Sequence, residues 1–277
     1  MKLNRQQFLD SPNKVITLLG MSGVGKTTLS SLLPQNQWFH YSGDYRIGTK
    51  YLGEPILDNI KRHAMQEPFL HDLILSDSVY ICSNITVHHL KPISTFLGKI
   101  GNPDLGGLGI DEFKRRQRLH RQAEINAMTD VREFICKSRE IYGYPHFIND
   151  AGGSVCELSD EEVWNDLAEQ SLIFYFKPDA ALENMMLDRA IADPKPMYYN
   201  EKFLDQHVNE FLNIKDLKGT DQMVPDEFVQ WVFPKLIEYR RPLYERIADK
   251  FGYTIDANQV MSLDSERAVL KLIDGAL

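Results

Sequence analysis

The sequence predicts an α/β fold: a mostly parallel five-stranded sheet with helices on both faces. Three observations carry that prediction. Five short apolar runs of strand type recur at residues 14–19, 37–41, 145–149, 171–176 and 252–255. Stretches of helical spacing separate them, and this alternation marks a parallel sheet built from crossover units. A glycine-rich turn follows the first run directly and opens into a helical pattern.

Taken in order, the first run is Val15, Ile16, Thr17, Leu18 and Leu19 after Lys14. The second, around Trp38 and Phe39, gives way to a segment at 48–109 that reads as an insertion. It closes on a loop at 101–109, rich in glycine. Residues 110–142 carry apolar or small side chains at 110, 113, 123, 127, 131 and 134, the spacing of a helix. The third run, His146 to Asn149, precedes Ser159, which with Glu162 forms a capping box for a helix over 161–170. The fourth run leads to a helix and then to a second insertion at 193–234, rich in Pro, Tyr, Asn and Asp. Such insertions serve as lids or as surface decoration. A length of 277 residues fits one domain over 1–277 that carries both.

Composition narrows the function classes. With 43% hydrophobic and 25% charged residues the chain has the make-up of a packed core, not of a disordered one. A formal charge of −8 argues against a protein that coats nucleic acid. Cys82, Cys136 and Cys156 are scattered and odd in number, so neither a disulfide framework nor a zinc site follows. No run approaches the ~18 apolar residues of a membrane span, and the opening residues show no signal-peptide pattern. The expectation is a cytoplasmic protein; nothing in the sequence sets its oligomeric state.

The turn Gly20-Met21-Ser22-Gly23-Val24-Gly25-Lys26-Thr27-Thr28 fits G-x-x-x-x-G-K-[ST] without a mismatch, between a strand and a helix. Glycines let backbone amides wrap phosphate oxygens, and the helix start adds favourable dipole charge. Lys26 then reaches the β- and γ-phosphates, and the Thr27 hydroxyl is a Mg²⁺ ligand. The cofactors expected are therefore ATP and Mg²⁺. A GTP switch would want Asn-Lys-x-Asp, and in Asn213-Ile214-Lys215-Asp216 the lysine is one place late.

Four further segments, in order, resemble P-loop kinases of the nucleotide/shikimate kinase type. They are Ser42-Gly43-Asp44-Tyr45-Arg46, Asp150-Ala151-Gly152-Gly153-Ser154, the stretch from Asp188 and Arg189 to Lys195-Pro196, and Arg240-Arg241-Pro242-Leu243-Tyr244 with Ala248. They are similar to the family's Asp-x-Asp, its glycine turn, its lid and its Arg-x-Pro-Leu-Tyr-x-x-x-Ala. The resemblance implies a three-layer P-loop NTPase fold with helical insertions, and phosphoryl transfer. It departs where Ser42 and Ser154 replace a family Asp and Gly, so shikimate is not carried over as substrate.

Phosphoryl transfer is mostly positioning and charge neutralisation. The resemblance makes Asp44 the acid that orients or deprotonates the acceptor hydroxyl, against a turn cap as the plainer reading. Arg46 clamps the acceptor or is an ordinary loop arginine. Asp150 holds Mg²⁺, acts as a second acid, or closes an Asx turn. Gly152 and Gly153 let substrate approach the backbone, and Arg240 binds an anionic acceptor or makes a salt bridge. Either Arg189 or Lys195 is the lid cation. Lys114, with Arg115, Arg116, Arg118 and Arg121, lies on a helix face that attracts an anionic substrate or is simply solvated. The function expected is an ATP- and Mg²⁺-dependent kinase for a hydroxyl of a small anionic metabolite. The alternative is a regulatory nucleotide-binding ATPase whose insertions bind a protein partner.

Overall fold

A computed structural model of the chain describes residues 5–158 and 160–277. All five expected strands are present, with ends displaced by at most one residue: β1 (Val15–Leu19), β2 (Trp38–Ser42), β3 (His146–Asp150), β4 (Leu172–Lys177) and β5 (Gly252–Asp256). They form one sheet in the order β2-β3-β1-β4-β5, and every pairing is parallel. The sequence expectation of a mostly parallel sheet thus becomes a wholly parallel one. Central strands of such a sheet are covered on both faces and read as unbroken apolar runs. Accordingly all five residues of β1 are buried, as are the first five of β4.

The connection after β1 runs to β2, past β3; the connection after β3 runs the other way to β4, past β1. Right-handed crossovers then place helices on both faces, which makes three layers. The carboxyl ends of β1 and β3 are the point where the strand order reverses, and ligands bind at such points in open α/β sheets. Register pairs Leu18 with Asp150 there.

The chain divides into two compact units. The sheet-bearing unit comprises Met1–Gly43, Glu124–Pro194 and Val229–Leu277. Its core includes Ile16, Leu18, Phe174 and Phe176, all fully buried. The helical unit comprises Asp44–Ala123 and Lys195–Phe228. An aromatic cluster of Phe113, Tyr199, Phe203, Phe211 and Phe228 fills its interior, with the Phe211 and Phe228 rings edge to face at 5.4 Å.

The helical spacing over 110–142 is realised as two helices, Ile110–Thr129 and Val131–Glu140, parted only at Asp130, which keeps helical dihedrals. Ser159, expected to cap the Glu161–Gln170 helix, lies outside the described residues; Asp160 holds the N-cap position with extended dihedrals. Among the described residues no helix is long and apolar enough to cross a membrane.

Candidate phosphate-binding site

The turn after β1 has the backbone that its glycines anticipate. Gly25 adopts φ 92°, a left-handed conformation that side chains with a Cβ rarely take, and it caps the Lys26–Ser31 helix. Ser22, Gly23, Thr27 and Thr28 are exposed, whereas Val24 is buried and anchors the loop. The Lys26 side chain is buried against the loop, and its Nζ donates to the carbonyls of Gly20 at 2.6 Å and Met21 at 3.1 Å. The ammonium is thereby held inside the curve of the turn whose amides the sequence assigns to phosphate.

Asp150 closes β3, one strand over. Its Oδ2 accepts the Thr27 hydroxyl at 2.8 Å. A carboxylate and a hydroxyl joined in this way at the rim of a phosphate loop are hard oxygen donors of the kind Mg²⁺ takes, mostly through its retained waters. The residues present therefore fit the metal that the sequence implies.

Gly153 lies against the loop itself: a Cβ placed on it would stand 3.0 Å from the Ser22 amide nitrogen. Close approach, not backbone strain, is what favours glycine here. Gly152, its neighbour, is buried, and its carbonyl accepts from Val155 N at 3.4 Å. The Arg189 guanidinium reaches the loop from the Ala180–Ala192 helix, with Nη1 3.6 Å from where a Cβ on Gly23 would be. On the far side, a Cβ on Gly25 would meet Val260 Cγ1 at 3.0 Å and the Met261 sulfur at 3.9 Å. Met261 is 56% exposed, an apolar surface beside the phosphate loop that no sequence motif singles out.

Arg240 is buried, with its Nε on Glu157 Oε1 at 2.6 Å and its Nη1 on the Gly153 carbonyl at 3.1 Å. The Arg240–Glu157 salt bridge lies inside the protein and not on its surface. Burial alone would lower the Arg240 pKa; the Glu157 carboxylate more than reverses this and keeps the guanidinium charged. Tyr244 and Cys156, packed into the same region, have their pKa values pushed up chiefly by burial, so both stay protonated.

The sheet-bearing unit thus gathers Lys26, Thr27, Asp150, Gly153, Arg189 and Arg240 around one loop. Asp44, Arg46, Lys114 and Lys195 belong to the helical unit. There Asp44 is half-buried in the first turn of the short Gly43–Arg46 helix, and the Arg46 guanidinium carbon is 5.7 Å from the centre of the Tyr51 ring. Lys114 pairs with Asp205 at 2.6 Å and Glu201 at 3.7 Å. Lys195 is exposed. The basic run is thoroughly paired: Arg115 and Arg116 with Glu112, and Arg118 with Glu201. Asn213 to Lys215 are the end of the Glu201–Lys215 helix and Asp216 is its left-handed cap, so helix termination accounts for that near-motif.

No protein-family model and no curated protein sequence matches the chain. Among solved structures it is similar to a shikimate kinase from Bacteroides thetaiotaomicron, at 14% identity and a TM-score of 0.40, over 95% of this chain and 95% of that one. A second is shikimate kinase from Acinetobacter baumannii in complex with shikimate, at 13% identity and a TM-score of 0.39, over 98% of this chain and 93% of that one. On its own topology, the chain has a three-layer α/β fold with a glycine-rich phosphate-loop sequence between β1 and the Lys26–Ser31 helix.

Proposed function

We propose that the chain is an ATP- and Mg²⁺-dependent phosphotransferase acting on a hydroxyl of a small metabolite. The observation that carries the reading is the Thr27–Asp150 hydrogen bond beside Lys26, which puts a metal-type donor pair and a buried ammonium at one phosphate loop. Bound Mg²⁺ would supply charge neutralisation on the phosphates. Lys26 would turn from the loop carbonyls to the β/γ-phosphates, and Arg189 would stabilise charge on the group being transferred. Met261 and Val260 offer an apolar wall for the base. On the sequence pattern, Asp44 orients the acceptor hydroxyl, Arg46, Lys114 and Gly152 serve acceptor binding, and Lys195 is the alternative to Arg189 as the lid cation. We also propose that 1–277 works as one enzyme, the 48–109 and 193–234 segments forming its acceptor-binding or lid regions, in the cytoplasm.

A panel of small hydroxylated compounds, anionic and neutral, with ADP release as readout, tests this. Stimulation by at least one acceptor, dependent on Mg²⁺, is the expected result. ATP binding with no stimulation by any acceptor would favour the second reading, a regulatory ATPase with a protein partner. One observation favours that alternative: the Pro68–Leu75 helix is strongly apolar yet has no buried residue, with Phe69 74% exposed.

A further inference from the structure

The resemblance gives Arg240 to an anionic acceptor, but the structure gives it other work. Its side chain is 6% exposed and that of its partner Glu157 is fully buried. Its Nε is committed to that carboxylate, and drawing the guanidinium away towards an acceptor would leave Glu157 as an unpaired buried charge, which is strongly unfavourable. The second contact of Arg240, from Nη1, is to the Gly153 carbonyl at 3.1 Å. Tyr244, one turn further along the Pro225–Phe251 helix and on the same face, donates its hydroxyl to that same carbonyl at 3.0 Å. The next residue, Ser154, is fastened too: its hydroxyl donates to the fully buried Glu124 at 2.8 and 3.0 Å. The turn held in this way is the one whose Gly153 backs onto the Ser22 amide of the phosphate loop.

We infer that Arg240 and Tyr244 are positioning residues for the phosphate loop: by clamping the Gly153 carbonyl they fix the turn that supports the Ser22 amide, and Arg240 does not bind the acceptor. The inference rests on the proposed function, in that the loop is taken to hold nucleotide phosphates. Anion-binding amides are effective only when held within a few tenths of an ångström of the productive geometry, which is what a doubly held carbonyl behind the loop provides.

Calorimetric titration with Mg·ATP and with Mg·tripolyphosphate, well below each variant's melting temperature, tests it. Tripolyphosphate isolates the loop from any base contact. Tyr244→Phe removes one of the two donors and is expected to weaken both ligands about threefold. Gly153→Ala forces a methyl towards Ser22 and is expected to weaken both about tenfold. Arg240→Lys keeps the charge but loses the planar fork, and should fall between them. Lys250→Gln, on the same helix as Arg240, breaks an exposed pair with Glu161 of another helix and should change neither affinity. In the transfer assay Arg240→Lys should raise KM for ATP and leave the acceptor's KM alone. Unchanged affinity for both ligands in folded Tyr244→Phe and Gly153→Ala, or a rise in acceptor KM alone, would overturn the positioning role while leaving the nucleotide reading intact. Failure of the unaltered protein to bind either ligand would overturn both.

Discussion

The sheet-bearing unit and the helical unit are held together in different ways. In the first, apolar strands pair through a parallel backbone ladder, and several polar pairs are taken inside: Thr17 with Ser171 at 2.8 Å, Ser154 with Glu124, Arg240 with Glu157. In the second, helices pack through an aromatic cluster, and charged side chains pair mostly at the surface. Lys99 meets Asp226, Lys114 meets Asp205, and Lys215 meets Glu227, each with at least one partner substantially exposed. Exposed pairs are individually weak, whereas breaking a buried one leaves an uncompensated charge. Breaking the Arg240–Glu157 pair, in the unit that carries the phosphate loop, is therefore costlier than breaking any of these surface pairs.

The largest effect expected is on chemistry. Lys26→Ala removes the ammonium from the phosphate loop and should lower ATP-dependent transfer by about 10²-fold or more, with far-UV circular dichroism unchanged. Retained turnover would break the assignment of the sheet-bearing unit as the catalytic one. Next comes stability. Glu157→Gln leaves Arg240 charged, buried and short of its counter-ion, at a cost of about 3 kcal/mol. Arg116→Met in the helical unit is the matching experiment. Its guanidinium is also buried, on Glu112, on Asn59 Oδ1 at 2.8 Å and on the Phe96 carbonyl at 2.6 Å. Removing it leaves two neutral acceptors unsatisfied, about 2 kcal/mol. Hydrogen exchange should register each loss mainly in its own unit. Uniform loss over the whole chain for either variant would show that the two regions open as one cooperative body.

Almost all of the sheet-bearing unit was legible in the sequence, because its signals are local. An unbroken apolar run followed by Gly20, Gly23 and Gly25 specifies strand, turn and helix start within fifteen residues. Asp150 and Arg189 were legible as candidates, and the contacts Asp150–Thr27 and Arg189–Gly23 only needed the fold to bring them together. What could not be read was partnership over long separation. Arg240 and Glu157 are 83 residues apart, and no periodicity or spacing ties one to the other. Tyr244 was visible only as part of a motif, its role hidden until the Gly153 carbonyl appeared beside it. In the helical unit, composition gave the insertions but not their helices. Turn-forming residues and helix-forming residues alternate there without a long periodic run, so tertiary packing of the aromatic cluster decides the structure.

A smaller effect separates the units by pH. The Glu112 carboxyl is pulled from its ordinary value of 4.5 to about 2, first by the hydrogen bond from Arg115 and then, against the opposing effect of burial, by Arg116. A depressed carboxylate pKa means that the unfolded chain takes up the proton first as pH falls. The pair therefore stabilises the helical unit fully above pH 4.5, and that contribution is lost progressively between 4.5 and about 2. Glu112 is about one-third exposed, so solvent screening keeps the effect modest. Acid unfolding followed by hydrogen exchange in the helical unit should show the loss in that window, and Glu112→Gln should remove it.

The smallest effect is the most diagnostic of how the helical unit is built. Phe113 is fully buried in the aromatic cluster, whereas Phe69 in the Pro68–Leu75 helix is 74% exposed and that helix has no buried residue. Truncation to alanine at a buried phenylalanine opens a cavity and costs about 3–5 kcal/mol. At Phe69 there is almost no apolar burial to lose, so Phe69→Ala should shift stability by less than about 0.5 kcal/mol. Differential scanning calorimetry on the two variants measures the contrast directly. A Phe69→Ala loss comparable to that of Phe113→Ala would mean that something covers this helix in solution. The apolar surface would then belong to an interface, and the case for a protein-binding insertion would strengthen accordingly.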